Sequence, residues 1–140
     1  MNKKYERYIE YIVNELEPPY FINMRDSYGL SPDEYEMILS KIFKQPVSIM
    51  GNNHHVYGEL ERIIYSEYDN GDWYKQEYDN QGNEIYYESS DGYWQKWEYD
   101  DQGNITYKEN SDGCWSKREY DNQGNRIYFE NSYGEIEDNR

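Results

Sequence analysis

Alanine is absent from this 140-residue chain, cysteine occurs once, histidine twice, and no apolar run approaches the length of a membrane span. A single thiol, Cys114, excludes an internal disulfide. With no apolar leader in MNKKYERYIEYIVNELE, the expectation is a protein of the reducing cytoplasm, outside any membrane. The shortage of chemistry-bearing residues excludes more. No Ser/His/Asp or Cys/His arrangement stands at motif spacing, and no Gly-rich phosphate loop precedes a helix. His54 and His55 are adjacent, so on a strand they would point to opposite faces and could not share one metal ion. The chain is therefore read as non-enzymatic, with no cofactor and no metal site.

What the chain has instead is aromatic and acidic. Tyr, Trp and Phe make up 26 residues, a load that argues against disorder despite a mean hydropathy of -1.31. The formal charge is -15. Residues 1–55 carry 6 Lys/Arg against 8 Asp/Glu, and residues 56–140 carry 8 against 21, so the acidity lies in the second stretch. Such a field repels nucleic acid and anionic membrane and attracts basic surfaces.

That second stretch is repetitive. EYDNQGNEIYYESSDGYWQKW (77–97) is followed by EYDDQGNITYKENSDGCWSKR (98–118) and EYDNQGNRIYFENSYGEIEDN (119–139). The first two copies match at 13 of 21 positions, and the second two at 11. A fainter copy precedes them, with Tyr65, Glu67, Gly71, Trp73 and Lys75 one period before Tyr86, Glu88, Gly92, Trp94 and Lys96. A unit of this size buries its apolar surface by stacking on its neighbours.

Each copy carries two turn signals. Asn70-Gly71, Asp91-Gly92 and Asp112-Gly113 are dipeptides favoured in two-residue hairpin turns, which would set Tyr86 opposite Trp97. The stretch Asp79–Asn83, with Gly82, suits a three-residue loop that sets Tyr78 opposite Glu84. Two turns per period predict an up-and-down antiparallel meander of seven to eight strands. Alternation then gathers Tyr78, Tyr86, Tyr99, Tyr107, Tyr120 and Tyr128 on one face, with Glu88, Glu109 and Glu130 at its margin. The other face receives Trp73, Trp94, Trp115 and Ile136 with the Lys and Glu that follow each Trp.

The N-terminal stretch reads as helical. Tyr5, Tyr8, Ile9, Ile12, Val13 and Leu16 recur at helical spacing from Lys3 to Glu17, and Pro18-Pro19 stops them. After a connector, PYFINMRDSYGL, Ser31, Pro32 and Glu34 form an N-cap, a first-turn Pro and a capping-box acid. A second helix follows, with Tyr35, Ile38, Leu39 and Ile42 on one stripe, and ends before Pro46. Val47–Met50 reads as a strand and 51–53 as a turn. The fold class is therefore α+β: two short helices (residues 1–55) capping an antiparallel sheet of about four 21-residue hairpin repeats (residues 56–140).

Equivalent residues one period apart stand two strands apart, about 10 Å. Glu77, Glu98 and Glu119 thus form one acidic row, and Asp79, Asp100 and Asp121 another. Glu67, Glu88, Glu109 and Glu130 add carboxylates with no recurring Lys to balance them. Tyr86, Trp94, Tyr107 and Trp115 are interleaved. These fourteen residues are the expected partner-binding set.

The phrase Glu-Tyr-Asp-x-x-Gly-Asn-x-x-Tyr resembles the YD repeats of the RHS class, and Tyr-x-Glu-x-x-Gly-x-Trp is similar to MORN-type repeats; both resemblances imply β-hairpins. In kind, a small acidic chain without a catalytic set is similar to the phage-encoded anti-CRISPR and anti-restriction inhibitors. That resemblance implies the cytoplasm of a bacterial host and, as partner, a basic nucleic-acid-binding protein such as a CRISPR effector or nuclease, without direct binding of nucleic acid. Repeats of about 20 residues rich in Trp, Tyr and Gly are also similar to choline-binding and cell-wall-binding repeats, which implies a glycan-binding alternative. A third alternative is a structural repeat protein that self-associates. The oligomeric state expected is monomer or homodimer.

Overall fold

A computed structural model describes residues 3–50 and 54–140, which divide into two compact units, Met1–Trp73 and Tyr74–Arg140. The expected turn at 51–53 lies outside the described residues, as do the side chains of Tyr5 and Tyr8. No helix among the described residues is long and apolar enough to cross a membrane.

The first unit holds the apolar core. Helix α1 (Lys3–Glu15) buries Ile9 and Ile12, three-residue spacing having put them on one face, and leaves Tyr11 exposed. The expected connector is itself helical: α2 (Tyr20–Asn23) runs into a π-turn, Met24–Tyr28, and buries Tyr20, Phe21 and Met24. Two helical pieces of four and five residues are too short to show a period, which is why the stretch reads as a loop in sequence. Helix α3 (Pro32–Phe43) starts where expected. The Ser31 backbone N–H donates to Glu34 Oε1 at 3.1 Å, and Ile38 and Leu39 are buried.

Three strands complete this unit: β1 (Ser48–Met50), β2 (His55–Tyr57) and β3 (Ile63–Glu67), with β2 antiparallel to both neighbours. Val56, Ile64 and Tyr65 turn inward, and the Tyr65 ring meets Tyr20 (4.8 Å), Phe43 (6.0 Å) and Phe21 (6.2 Å). The two histidines diverge, His54 standing in a turn with φ 50° and His55 opening β2. His54 stacks on Phe21 at 4.9 Å, while His55 Nδ1 lies 2.8 Å from Ser66 Oγ.

The second unit is a meander of β4 (Trp73–Tyr78), β5 (Glu84–Ser89), β6 (Trp94–Tyr99), β7 (Ile105–Asn110), β8 (Trp115–Tyr120), β9 (Arg126–Asn131) and β10 (Ile136–Asp138). Each strand pairs antiparallel with the next. Among the described residues no apolar side chain of this unit is buried; only Ser89 and Ser116 are. It is a sheet without a second layer, held by its ladder and by cross-strand side-chain pairs worth roughly 0.2–1 kcal/mol each.

Two corrections to the expected register fix the faces. First, Asp91-Gly92 is not a two-residue turn. Ser89 N–H donates to Tyr93 O and Gly92 N–H to Ser89 O, closing a three-residue loop in which only Gly92 has positive φ, at 96°. The Asp112-Gly113 and Asn70-Gly71 turns close in the same way. The three-residue loop needs one left-handed residue where the two-residue turn needs two, so Asp keeps ordinary backbone and Gly alone carries the cost. Tyr86 consequently opposes Lys96, not Trp97.

Second, each Asp-turn hairpin carries a bulge. Tyr78 opposes Glu84 as expected, but Glu77 then opposes Tyr86, leaving Ile85 as the extra residue; Thr106 and Ile127 repeat this. A one-residue shift moves every later side chain to the other face. The two expected ladders are thereby reassorted. Lys75, Glu77, Tyr86, Glu88, Trp94, Lys96, Glu98, Tyr107, Glu109, Trp115, Lys117, Glu119, Tyr128 and Glu130 share one face, and Tyr74, Tyr87, Gln95, Trp97, Lys108, Ser116, Arg118 and Phe129 share the other.

Candidate interaction surface

The first face is a regular lattice of Trp-x-Lys-x-Glu strands alternating with Tyr-x-Glu strands. The lattice is built by the 21-residue period and by the two register shifts together. Within a strand the Lys96 Nζ sits over Trp94 at 5.0 Å, and Lys117 over Trp115 at 5.3 Å. Across strands Glu88 opposes Lys75, Glu109 opposes Lys96 and Glu130 opposes Lys117. The expectation that these three glutamates lack a balancing Lys is thus corrected; the Lys lies on the neighbouring strand. Their hydrogen-bond partner is local. Tyr86 donates to Glu88 at 3.2 Å, Tyr107 to Glu109 at 3.2 Å and Tyr128 to Glu130 at 2.8 Å.

Glu77, Glu98 and Glu119 form an exposed row of carboxylates on this face. The last of them is taken by Arg140, Nη1 to Oε2 at 3.1 Å, an exposed pair of small energetic weight. Two hollows repeat one period apart. One, of about 480 Å³, is bordered by Glu77, Asp79, Ile85, Tyr86, Lys96 and Glu98. The other, of about 660 Å³, is bordered by the equivalent Glu98, Asp100, Thr106, Tyr107, Lys117 and Glu119. Each presents three carboxylates and a Lys among aromatic rings, and the second adds Arg118 where the first has Trp97.

The aspartates of these hollows also hold the turns. Asp79 Oδ1 accepts the backbone N–H groups of Gln81 and Asn83, both at 2.9 Å, and Asp100 and Asp121 do the same in their own loops. Donation to the ionised form holds all three carboxyls below the usual range, the Asn83, Asn104 and Asn125 amides contributing most.

Glu67 departs from the expected set. It is fully buried, and its carboxylate accepts Phe21 N–H and Ile22 N–H, each at 2.9 Å, and the Tyr65 hydroxyl at 2.5 Å. Burial and the Glu67 contact push the Tyr65 phenol up, so it stays a neutral donor. Glu67 terminates the first turn of α2 and has no surface left for a partner. Its motif, Tyr-x-Glu, is the same as in the exposed copies, so nothing in its own residues distinguishes it; the burial comes from the helices.

The opposite face was not part of the expected set. Along β6, β7 and β8 it carries Lys108 and Arg118 and no carboxylate. The sequence signal that marks it is the departure of the second copy from the first at Tyr87/Lys108 and Trp97/Arg118.

No protein-family profile matches this chain, and no curated protein matches it.

Proposed function

We propose that this chain is a non-enzymatic acidic binding protein whose repeated face occupies the basic nucleic-acid-binding surface of a host effector, in the manner of phage-type anti-CRISPR or anti-restriction inhibitors. The observation that carries the reading is the acidic hollow written twice at one-period spacing, Glu77/Asp79/Glu98 and then Glu98/Asp100/Glu119. A partner whose groove tracks a phosphate backbone with Lys and Arg meets carboxylates at regular intervals, and counterions are released as they are when it binds DNA. Tyr86, Trp94, Tyr107 and Trp115, half-exposed between the charges, supply the aromatic contact area on which interface affinity concentrates. The residue set is the expected one without Glu67. The setting is the cytoplasm of a bacterial host, and neither catalysis nor a cofactor enters.

A pull-down from nuclease-treated bacterial lysate containing a CRISPR effector, eluted by a salt gradient and read by mass spectrometry, tests this. Elution of a nucleic-acid-binding protein at moderate salt, displaced as well by added duplex DNA, supports the proposal. Recovery of no such protein overturns it.

A further inference from the structure

The first two full repeats differ at eight positions; the Tyr, Glu, Trp and Lys of the acidic face are kept, and of the residues bordering its hollows only Ile85/Thr106 and Trp97/Arg118 change. Five of them gather around a single hollow of about 360 Å³ on the other face: Lys108, Asn110, Cys114, Ser116 and Arg118 stand where the preceding copy has Tyr87, Ser89, Tyr93, Gln95 and Trp97. In the preceding copy the space is filled by rings, Tyr87 lying 6.1 Å from Tyr74 and 6.4 Å from Tyr93. One period later Lys108, Cys114 and Arg118 replace Tyr87, Tyr93 and Trp97, and the rings that border the hollow are Phe129 and Tyr133. A repeat that holds one face constant and empties the other at one place has a local reason to do so.

The hollow is equipped with donors. Ser116 lies within it at 5 % exposure, and its Oγ has no hydrogen-bond partner, an arrangement folded proteins seldom leave. Lys108 and Asn131 flank Ser116 on the neighbouring strands. The Arg118 guanidinium sits 5.5 Å from the Phe129 ring centre, a flat cationic platform beside the same space. Among the described residues no carboxylate pairs with Lys108 or Arg118. Glu109 also borders the hollow, but its carboxylate takes the Tyr107 hydroxyl on the acidic face.

From the unpartnered Ser116 hydroxyl between Lys108 and Arg118 in this hollow, we propose a binding site for a small aromatic anion. A phosphate or carboxylate head meets Lys108 and the Ser116 hydroxyl, and a planar ring lies on the Arg118–Phe129 platform. The volume is that of a small-molecule site. Lys108 and Ser116 stand on the face opposite the acidic one, and Arg118 borders hollows on both.

The test is a titration of the full chain at physiological ionic strength, followed by amide NMR shifts, with phenyl phosphate, benzoate and benzyl alcohol as probes. Saturable shifts at Ser116, Cys114 and Asn131 with phenyl phosphate alone support the site with a phosphate head; the same shifts with benzoate support it with a carboxylate head. Ser116→Gln and Lys108→Tyr restore residues the preceding copy already accommodates, so the sheet is kept while affinity falls by about tenfold or more; Lys108→Met, which keeps the stem and removes the charge, weakens binding in the same direction. Absence of saturable shifts with either anion overturns the proposal. So does equal binding of benzyl alcohol, or binding unchanged in all three variants.

Discussion

Tyr65 donates its hydroxyl to Glu67, two residues on along the same strand, and the bond recurs one, two and three periods later as Tyr86–Glu88, Tyr107–Glu109 and Tyr128–Glu130. In the first copy the pair is fully buried and holds two backbone amides of α2; in the other three it lies half-exposed on an open sheet. One motif thus has two roles, set by what packs on it.

Glu67→Ala leaves two backbone N–H groups and a phenol without an acceptor in the core. It should lower unfolding free energy by ~3 kcal/mol or more, while Glu88→Ala, at the equivalent place, should cost ~1 kcal/mol or less. Urea denaturation of both variants reads the difference. Equal effects would contradict the helix-terminating role given to Glu67.

Gly113 has φ 84° with open space where a Cβ would stand, so Gly113→Ala tests backbone strain without a clash. A loss of about 1–2 kcal/mol is expected. Asp112→Ala should leave the turn closed, since Asp112 does not take positive φ; a two-residue turn would require it to.

Asp100→Asn should keep the turn, because an amide oxygen still accepts the Gln102 and Asn104 N–H groups, whereas Asp100→Ala should lower the urea midpoint. Charge reversal along Asp79, Asp100 and Asp121 therefore disturbs loops as well as charge. Asn is the substitution that separates the two.

Acid should destabilise the protein through these same aspartates. Their folded pKa values lie below the unfolded value of about 3.9, so the unfolded state binds protons first. The stability they contribute is complete above about pH 4 to 5 and is lost as pH falls through their folded values. Burial raises Glu84, which acts with the opposite sign: its carboxyl disfavours the fold once pH rises through its folded value, so Glu84→Gln should stabilise at neutral pH. Denaturation across a pH series measures both, and a triple Asn variant should flatten the acid limb.

The strands, the Asp-x-x-Gly-Asn loops and the capping box of α3 were legible because each is written in neighbouring residues. The faces were not. Asp-Gly serves both two- and three-residue loops, and the bulges at Ile85, Thr106 and Ile127 carry no glycine to announce them. Each of these hides a one-residue shift, and a one-residue shift decides which side chains are neighbours. The Lys opposite each of Glu88, Glu109 and Glu130 follows only from the corrected register. Glu67 was misplaced for a different reason: its environment is made by residues 20–22, more than forty positions away.

The central claim, that the acidic face engages a basic nucleic-acid-binding surface, is tested most directly by the salt dependence of partner binding. Affinity for the captured partner is measured over a range of salt concentrations for the natural chain and for a Glu77→Gln/Glu98→Gln/Glu119→Gln variant with unchanged circular dichroism. The account predicts a steep fall of affinity with salt for the natural chain and a weaker, flatter dependence for the variant. A salt-insensitive interaction, or one that survives the triple substitution unchanged, would contradict it.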